Sequence, residues 1–260
     1  MSDLLAGKIA IVTGGGSGIG KAIGESLAGN GVRVAVASRD PSQLEAAARS
    51  FERLERPLLA VRTDIRKKEQ VQQAVEQVVA AWGRVDILVN NAGISGLTRI
   101  DDADDGRWYD ILETNLTGTY LMTKAALKAM PDHSGARIIN ISSVLGKFGV
   151  PGYSAYCASK HGMIGFTRAL ALEVVHRGIT VNAICPGWVE TEMARSGIEE
   201  SAAYQGLSPE EFKKQAVQAV PIRRFLEAEE VARLVCYLAS PKAGGITGQA
   251  INICGGQTMV

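Results

Sequence analysis

Lys8-Ile9-Ala10-Ile11-Val12-Thr13-Gly14-Gly15-Gly16-Ser17-Gly18-Ile19-Gly20-Lys21-Ala22-Ile23 runs from a short apolar stretch through a glycine turn into a helical pattern. A strand–loop–helix of this kind can bring main chain close to an anion. Glycines permit the sharp turn and the near approach, and the first N–H groups of the helix, at the positive end of its dipole, favour a phosphate. The glycines that matter are Gly14, Gly18 and Gly20, a different spacing from G-x-G-x-x-G. Its place in a first βα unit, with a second strand about twenty residues on, makes the loop more than a tight turn and suits a dinucleotide.

That second strand, Arg33-Val34-Ala35-Val36-Ala37, ends in Ser38-Arg39-Asp40. An acidic side chain at this point would accept hydrogen bonds from the adenosine ribose of NAD. A small hydroxyl followed by arginine instead leaves room and positive charge for the 2′-phosphate of NADP. Ser38 and Arg39 therefore favour NADP(H) over NAD(H), against which Asp40, one residue later, is close enough to reach back. Strand-like runs at 8–12, 33–37, 58–62, 85–89, 137–141, 180–184 and 250–253 alternate with helical segments. This pattern predicts an α/β fold, a doubly wound parallel sheet of the Rossmann type, in one domain over residues 1–260. Right-handed crossovers then put the glycine loop, the Asn90 turn, Ser143 and Pro186 at the carboxyl ends of their strands, where such sheets bind ligands.

Tyr156-Cys157-Ala158-Ser159-Lys160 lies thirteen residues beyond Ser143. Residues four apart share a helix face, so the sequence predicts the Lys160 ammonium beside the Tyr156 phenol, lowering its pKa from about 10. A tyrosine so tuned exchanges a proton near neutral pH. Ser143 supplies a hydroxyl to hold a substrate oxygen meanwhile, which suits interconversion of a carbonyl and an alcohol.

In combination these motifs resemble those of the short-chain dehydrogenase/reductase family, from about Lys8 to Gly256. The resemblance covers Thr13 to Gly20, Asp64 after a strand, Asn90-Asn91-Ala92-Gly93, Asn115, Ser143, Tyr156 with Lys160, and Pro186-Gly187. It implies Tyr156 as general acid/base and Lys160 as the residue that lowers its pKa and holds the nicotinamide ribose. Ser143 would orient the substrate carbonyl, and Asn115 would anchor a water linked to the lysine. Ser142 then reads as a strand-end hydrogen bonder. The family also places the cofactor against Gly14, Ser17, Gly18, Ile19 and Gly20, against Asp64-Ile65, whose carboxylate meets the adenine, and against Asn91-Ala92-Gly93. Pro186, Gly187, Val189 and Thr191 line the nicotinamide. On its own, Asp64 also reads as a cap for a helix beginning near Lys67.

Residues 194–219 read as a two-helix lid, with Ser208-Pro209-Glu210-Glu211 as a helix start and Tyr204 and Phe212 as lining. The lid resembles in length those of 3-oxoacyl-carrier-protein reductases and aromatic polyketide ketoreductases. The expectation is NADPH-dependent reduction of a 3-oxoacyl thioester or polyketide ketone. The alternatives are a secondary alcohol, hydroxysteroid or 3-hydroxybutyrate-type dehydrogenase, or a non-catalytic NADP(H) sensor or scaffold. Val144 and Tyr153 stand where a 3-hydroxybutyrate enzyme would be expected to carry polar partners. Arg223, Arg224, Lys124 and Lys128 are candidate contacts for an acyl carrier protein.

With 46% apolar residues and 28 Lys and Arg against 27 Asp and Glu, the chain can bury a full core and has no excess charge to suggest nucleic acid or an anionic membrane. It carries no apolar run of the roughly twenty residues that span a bilayer, and Met1 to Ala6 does not read as a leader, so a cytoplasmic protein is expected. Cys157, Cys185, Cys236 and Cys254 have no metal-ligand spacing, nor have the three histidines or Asp101-Asp102-Ala103-Asp104-Asp105, which reads as a helix start; no metal is expected. Family resemblance implies a homotetramer.

Overall fold

The computed structural model describes residues 4–260. Residues 1–3, part of the segment expected not to be a leader, lie outside them. Seven strands, β1 (Ile9–Thr13), β2 (Arg33–Ser38), β3 (Leu58–Arg62), β4 (Ile87–Asn90), β5 (Arg137–Ile141), β6 (Thr180–Pro186) and β7 (Ala250–Ile253), form one sheet in the order β3-β2-β1-β4-β5-β6-β7. Every pairing is parallel. The seven expected strands are present; β4 begins two residues later than expected because Asp86 leaves the apolar run to accept the Ile9 amide at 2.9 Å.

Helices cover both faces, as a buried parallel sheet requires. Alternate side chains of each strand point to opposite sides. Ala10, Val12, Val34 and Val36 pack with α1 (Gly18–Gly29), α2 (Pro41–Arg53) and α9 (Ala228–Ala239). Ile9, Ile11, Ala35 and Ala37 pack with α3 (Lys68–Trp82), α5 (Gly118–Leu127) and α6 (Ser154–Val174). Such a core explains why the strands read as unbroken apolar runs. Phe51 of α2, 1% exposed, is the largest side chain in the first layer, and full burial of such a residue stabilises by about 1.5–3 kcal/mol.

Strand order reverses between β1 and β4. At that switch the crossovers leave in opposite directions and open a crevice at the carboxyl edge. The glycine loop follows β1 and Asn91 follows β4, so both lie on the crevice. Amide side chains tie this region together: Asn90 Nδ2 donates to Asn140 Oδ1 at 2.8 Å and to Thr123 Oγ1 at 2.9 Å, and Asn140 Nδ2 donates to Thr167 Oγ1 of α6 at 2.8 Å. The segment read as a lid folds as two helices, α7 (Glu192–Gln205) and α8 (Pro209–Ala219). It starts two residues earlier than expected because Thr191 Oγ1 accepts the Ala194 amide and caps α7. A capping box between Ser208 and Glu211 starts α8. No helix among the described residues is long and apolar enough to cross a membrane.

The Asn140 bridge gives a stability prediction. Asn140→Leu removes two buried hydrogen bonds while Asn90 keeps Thr123 and Thr167 keeps the Met163 carbonyl, and the cost is about 1–3 kcal/mol in all. Urea unfolding should show a loss in that range; an unchanged midpoint would mean that the bridge does not hold β4, β5 and α6 together.

Candidate active site

The carboxyl edge of the sheet opens into a cavity of about 580 Å³. At its dinucleotide end, Gly14 (φ 63°) and Gly18 (φ 49°) adopt left-handed backbone that favours glycine. A Cβ on Gly20 would stand 2.2 Å from the Gly14 carbonyl oxygen and 2.3 Å from Asn91 Nδ2, so the loop and the β4 turn can touch only because that side chain is missing. Asn91 fixes the approach by donating from Nδ2 to the carbonyls of Thr13 and Gly14 at 3.0 and 3.1 Å. Ser17, at the N-cap of α1, makes no side-chain bond to the helix, and the first turn holds no acidic residue. The leading N–H groups of α1 are thus left for an anion.

At the end of β2, Ser38 Oγ donates to Gln43 Oε1 at 3.0 Å. Arg39 lines the cavity and is exposed. Asp40 does not reach back toward a ribose: its Oδ1 accepts from the Ser42 amide at 2.9 Å and the Ser42 hydroxyl at 2.8 Å, capping α2. Those two bonds hold its carboxyl below the usual range. Asp64 does not cap α3. Arg66 grips it through Nε at 3.0 Å and Nη2 at 2.7 Å, which holds its carboxyl low, and α3 starts with Lys67 in the cap position.

The chemical end lies over β4, β5 and β6. Ser143 lies two residues beyond β5, is 8% exposed, and its Oγ accepts from the Leu145 amide at 3.1 Å. Ser142 turns inward and donates to the Lys160 carbonyl oxygen at 3.1 Å, the strand-end role expected of it. Tyr156 and Lys160 stand on the first turns of α6. Lys160 Nζ, on a side chain 4% exposed as a residue, donates to the Ile141 carbonyl oxygen at 2.8 Å and lies 5.5 Å from the centre of the Tyr156 ring.

This geometry corrects the expected tuning of the phenol. The ammonium sits near the ring and bonds to main chain, and desolvation sets the direction for both groups. Burial pushes Tyr156 up to about 12, with the Ser143 hydroxyl pulling the other way, and pushes Lys160 down to about 8. At neutral pH the phenol therefore carries its proton and the lysine is mostly an ammonium.

Asn115 is the one expected site residue that does not line the cavity. It is fully buried in a π-helical turn, Glu113–Thr117, between α4 (Gly106–Leu112) and α5. Its Oδ1 accepts the Ile94 amide at 2.8 Å, and its Nδ2 donates to the Ile94 carbonyl at 2.9 Å and Ser159 Oγ at 3.0 Å. It clamps the β4 loop to α6 from behind. The other expected residues, from Gly14 to Thr191, all face the cavity. So the donor set fits a dinucleotide: glycine-cradled amides for the pyrophosphate, Arg39 at one end and Lys160 at the other.

Beyond Lys160 the cavity widens into an aromatic compartment that motif reading only partly anticipated. Trp188 stacks on Phe225 at 5.3 Å and meets Phe212 of α8 edge-on at 6.4 Å. The hydroxyl of buried Tyr153 lies 2.7 Å from Ser201 Oγ of α7, and Glu200 pairs with Arg107 while accepting the Leu97 amide at 3.1 Å. These contacts seat the lid against the loop after β4. Tyr204 of α7 and Phe212 of α8 line the cavity. Tyr153 and Trp188 adjoin motif residues, and that adjacency was the available signal.

Comparison with known proteins agrees with this architecture. A family model described as short chain dehydrogenase matches residues 8–202. The 3-oxoacyl-acyl-carrier-protein reductase of Escherichia coli K12 is 39% identical, over 98% of both chains. The acetoacetyl-CoA reductase of Shinella zoogloeoides is also 39% identical, over 97% of this chain and 99% of its own. Among solved structures, actinorhodin polyketide ketoreductase with NADPH superposes with a TM-score of 0.92 at 41% identity over 99% of both chains. Matching family model, full-length relatives and an assembled Ser143, Tyr156 and Lys160 lead to one conclusion: the chain belongs to the short-chain dehydrogenase/reductase family.

Proposed function

We propose that this protein is a ketoreductase, reducing a 3-oxoacyl thioester or polyketide ketone to a secondary alcohol with NADPH. The observation that carries it is geometric: Ser143, Tyr156 and Lys160 line the same cavity as the glycine loop and Arg39, so a carbonyl beside the two hydroxyls lies within reach of a dinucleotide held by that loop. The names of full-length relatives and the NADPH held by a similar ketoreductase support the same reading.

When bound, NADPH supplies the hydride that adds to the carbonyl carbon. The chain's part is to bind, orient and protonate. Ser143 and Tyr156 donate to the carbonyl oxygen, and Tyr156 releases its proton to that oxygen as charge builds on it. Lys160 favours the transient phenolate, and Asn115 holds the β4 loop and α6 at the spacing this needs. Arg39 would hold the 2′-phosphate and the amides of α1 the pyrophosphate.

A 3-hydroxybutyrate-type dehydrogenase ranks lower. Among the described residues, the lysine and arginine side chains lining the cavity are Arg39, at the dinucleotide end, and Lys160, so these residues offer no cation to a free carboxylate in the aromatic compartment; Val144 is buried and apolar and Tyr153 is engaged by Ser201. Delivery by an acyl carrier protein is part of the proposal. Glu230 already grips Arg224 at 2.6 and 2.9 Å, which leaves Arg223, Lys124 and Lys128 as the cations for it. The same reading has the enzyme work in the cytoplasm as a homotetramer, with the half-buried outer strand β7 and Leu172, 78% exposed, offering apolar surface to a second copy.

Three outcomes are expected. Tyr156→Phe should lower kcat by a factor of about 10²–10⁴ while NADPH binds as before, since it removes a general acid and little else; retained turnover would point to a sensor or another acid. In a pH profile of ketone reduction, the Lys160 ammonium is present below its value of about 8 and lost above it. The rate should therefore hold at neutral pH and fall as pH rises through about 8, and Lys160→Met should abolish that limb; a flat profile to pH 10 would contradict it. Arg39→Ala should raise the KM for NADPH about tenfold or more and leave that for NADH unchanged, because a charge-assisted bond to phosphate is worth about 1.5–3 kcal/mol. A wild type preferring NADH tenfold would overturn the cofactor assignment.

A further inference from the structure

Gln257 is a polar residue on the cavity wall that the mechanism above does not use. After β7 the chain turns through Gly255 (φ 61°) and Gly256 (φ 87°), conformations that favour glycine, and doubles back. Four contacts hold the returning segment 257–260. Asn252 Nδ2 donates to the main-chain oxygens of Thr258 and Val260, both at 3.1 Å; Cys254 Sγ lies 3.4 Å from the Thr258 oxygen; and Lys147, on the loop after Ser143, donates to the Val260 oxygen at 2.6 Å. With the Gln257 amide donating to the Cys254 carbonyl at 3.2 Å, the backbone that carries this side chain is held by the folded chain.

Its orientation limits what it can bind. Oε1 is shut away from water without a partner, pressed toward the Pro186-Gly187 turn so closely that a Cβ on Gly187 would stand 2.9 Å from it. Nε2 is not shut in and is the end left for the cavity, so the residue offers a ligand a donor. Its place along the sheet edge is equally defined. Ser143, Gly187 and Gln257 follow the adjacent strands β5, β6 and β7, and neighbouring strands stand about 4.8 Å apart. Because the carboxamide leans back over the β6 turn, it lies about one strand spacing from the strand that carries Ser143. That span is comparable with the separation of the two carbonyl oxygens in an extended 1,3-dicarbonyl.

We propose that Gln257 donates a hydrogen bond to the second carbonyl of the substrate, two carbons from the ketone held by Ser143 and Tyr156, and so selects 3-oxoacyl thioesters over ketones with a single carbonyl. This rests on the ketoreductase reading of the site. Gln257 is a specificity-determining residue and takes no part in proton transfer.

The test compares wild type with Gln257→Met, which keeps the length of the side chain and removes an unpaired buried acceptor along with the donor, so folding is not endangered. Steady-state rates are measured with NADPH and two substrates, an acetoacetyl thioester of N-acetylcysteamine and a bicyclic ketone with one carbonyl, and NADPH affinity is measured separately by fluorescence titration. The expected result is a loss of about tenfold in kcat/KM for the thioester, with the single-carbonyl ketone and NADPH affinity unchanged within about twofold. An equal loss on both ketones, or a weakened grip on NADPH, would overturn the proposal by showing that Gln257 acts through the cofactor or the fold. If wild type bound NADPH but turned over neither ketone, the ketoreductase reading itself would fall, and the proposal with it.

Discussion

A buried ammonium with one hydrogen-bond partner from the chain is the constraint around which this site is organised. Taking Lys160 out of water is costly, and no carboxylate stands beside it; the Ile141 carbonyl is what receives its proton donors. Such a group holds its position only where the surrounding structure over-determines it. Ser142 bonds to the Lys160 carbonyl, and Asn115 braces Ser159, one residue before it, against the loop after β4. Gly146 lets the loop after Ser143 come so close that a Cβ there would stand 2.8 Å from the Lys160 carbonyl oxygen. The Asn90–Asn140–Thr167 bridge fixes α6 to the two strands beneath it.

The same desolvation sets the chemistry. One low-dielectric pocket moves the two groups apart, the phenol up to about 12 and the ammonium down to about 8, and both are still protonated at neutral pH. A carbonyl oxygen entering between Ser143 and Tyr156 meets donors already aimed at it, which is the arrangement that stabilises developing negative charge. The aromatic compartment under the lid adds shape and an apolar surrounding without a competing cation. Chemistry and selection are therefore divided along the sheet edge: proton donors after β5 and on α6, apolar walls from Trp188 and the lid.

Much of this was legible in the sequence because each feature is local. The inner strands, buried on both faces, write continuous apolar runs, the half-buried outer strands β3 and β7 still read as short apolar stretches, and β4 starts two residues late where Asp86 sits inside the run as a buried partner for Ile9. Glycine spacing marked the loop, and Ser208 with Glu211 marked the second lid helix. What stayed hidden depends on partners distant in sequence or on burial. Nothing around Asp64 indicates that Arg66 will fold back on it, and nothing around Asn115 predicts a π-helical turn or a side chain facing away from the cavity. The direction of the Tyr156 shift followed from desolvation, which four-residue spacing cannot report. Gln257 has no motif at all; its place on the cavity wall depends on Gly187, which it approaches only in the folded chain, and on Lys147 and Asn252, which hold the residues that follow it.

The central claim is that this sheet edge delivers a hydride to a ketone carbon while the chain protonates the oxygen. It is tested most directly by following the hydrogen. With NADPH carrying deuterium at both C4 positions and an acetoacetyl thioester as acceptor, mass spectrometry of the product should find a single deuterium on the new carbinol carbon. A hydroxy product without deuterium there, or labelled NADPH left unconsumed in the presence of bound ketone, would contradict it.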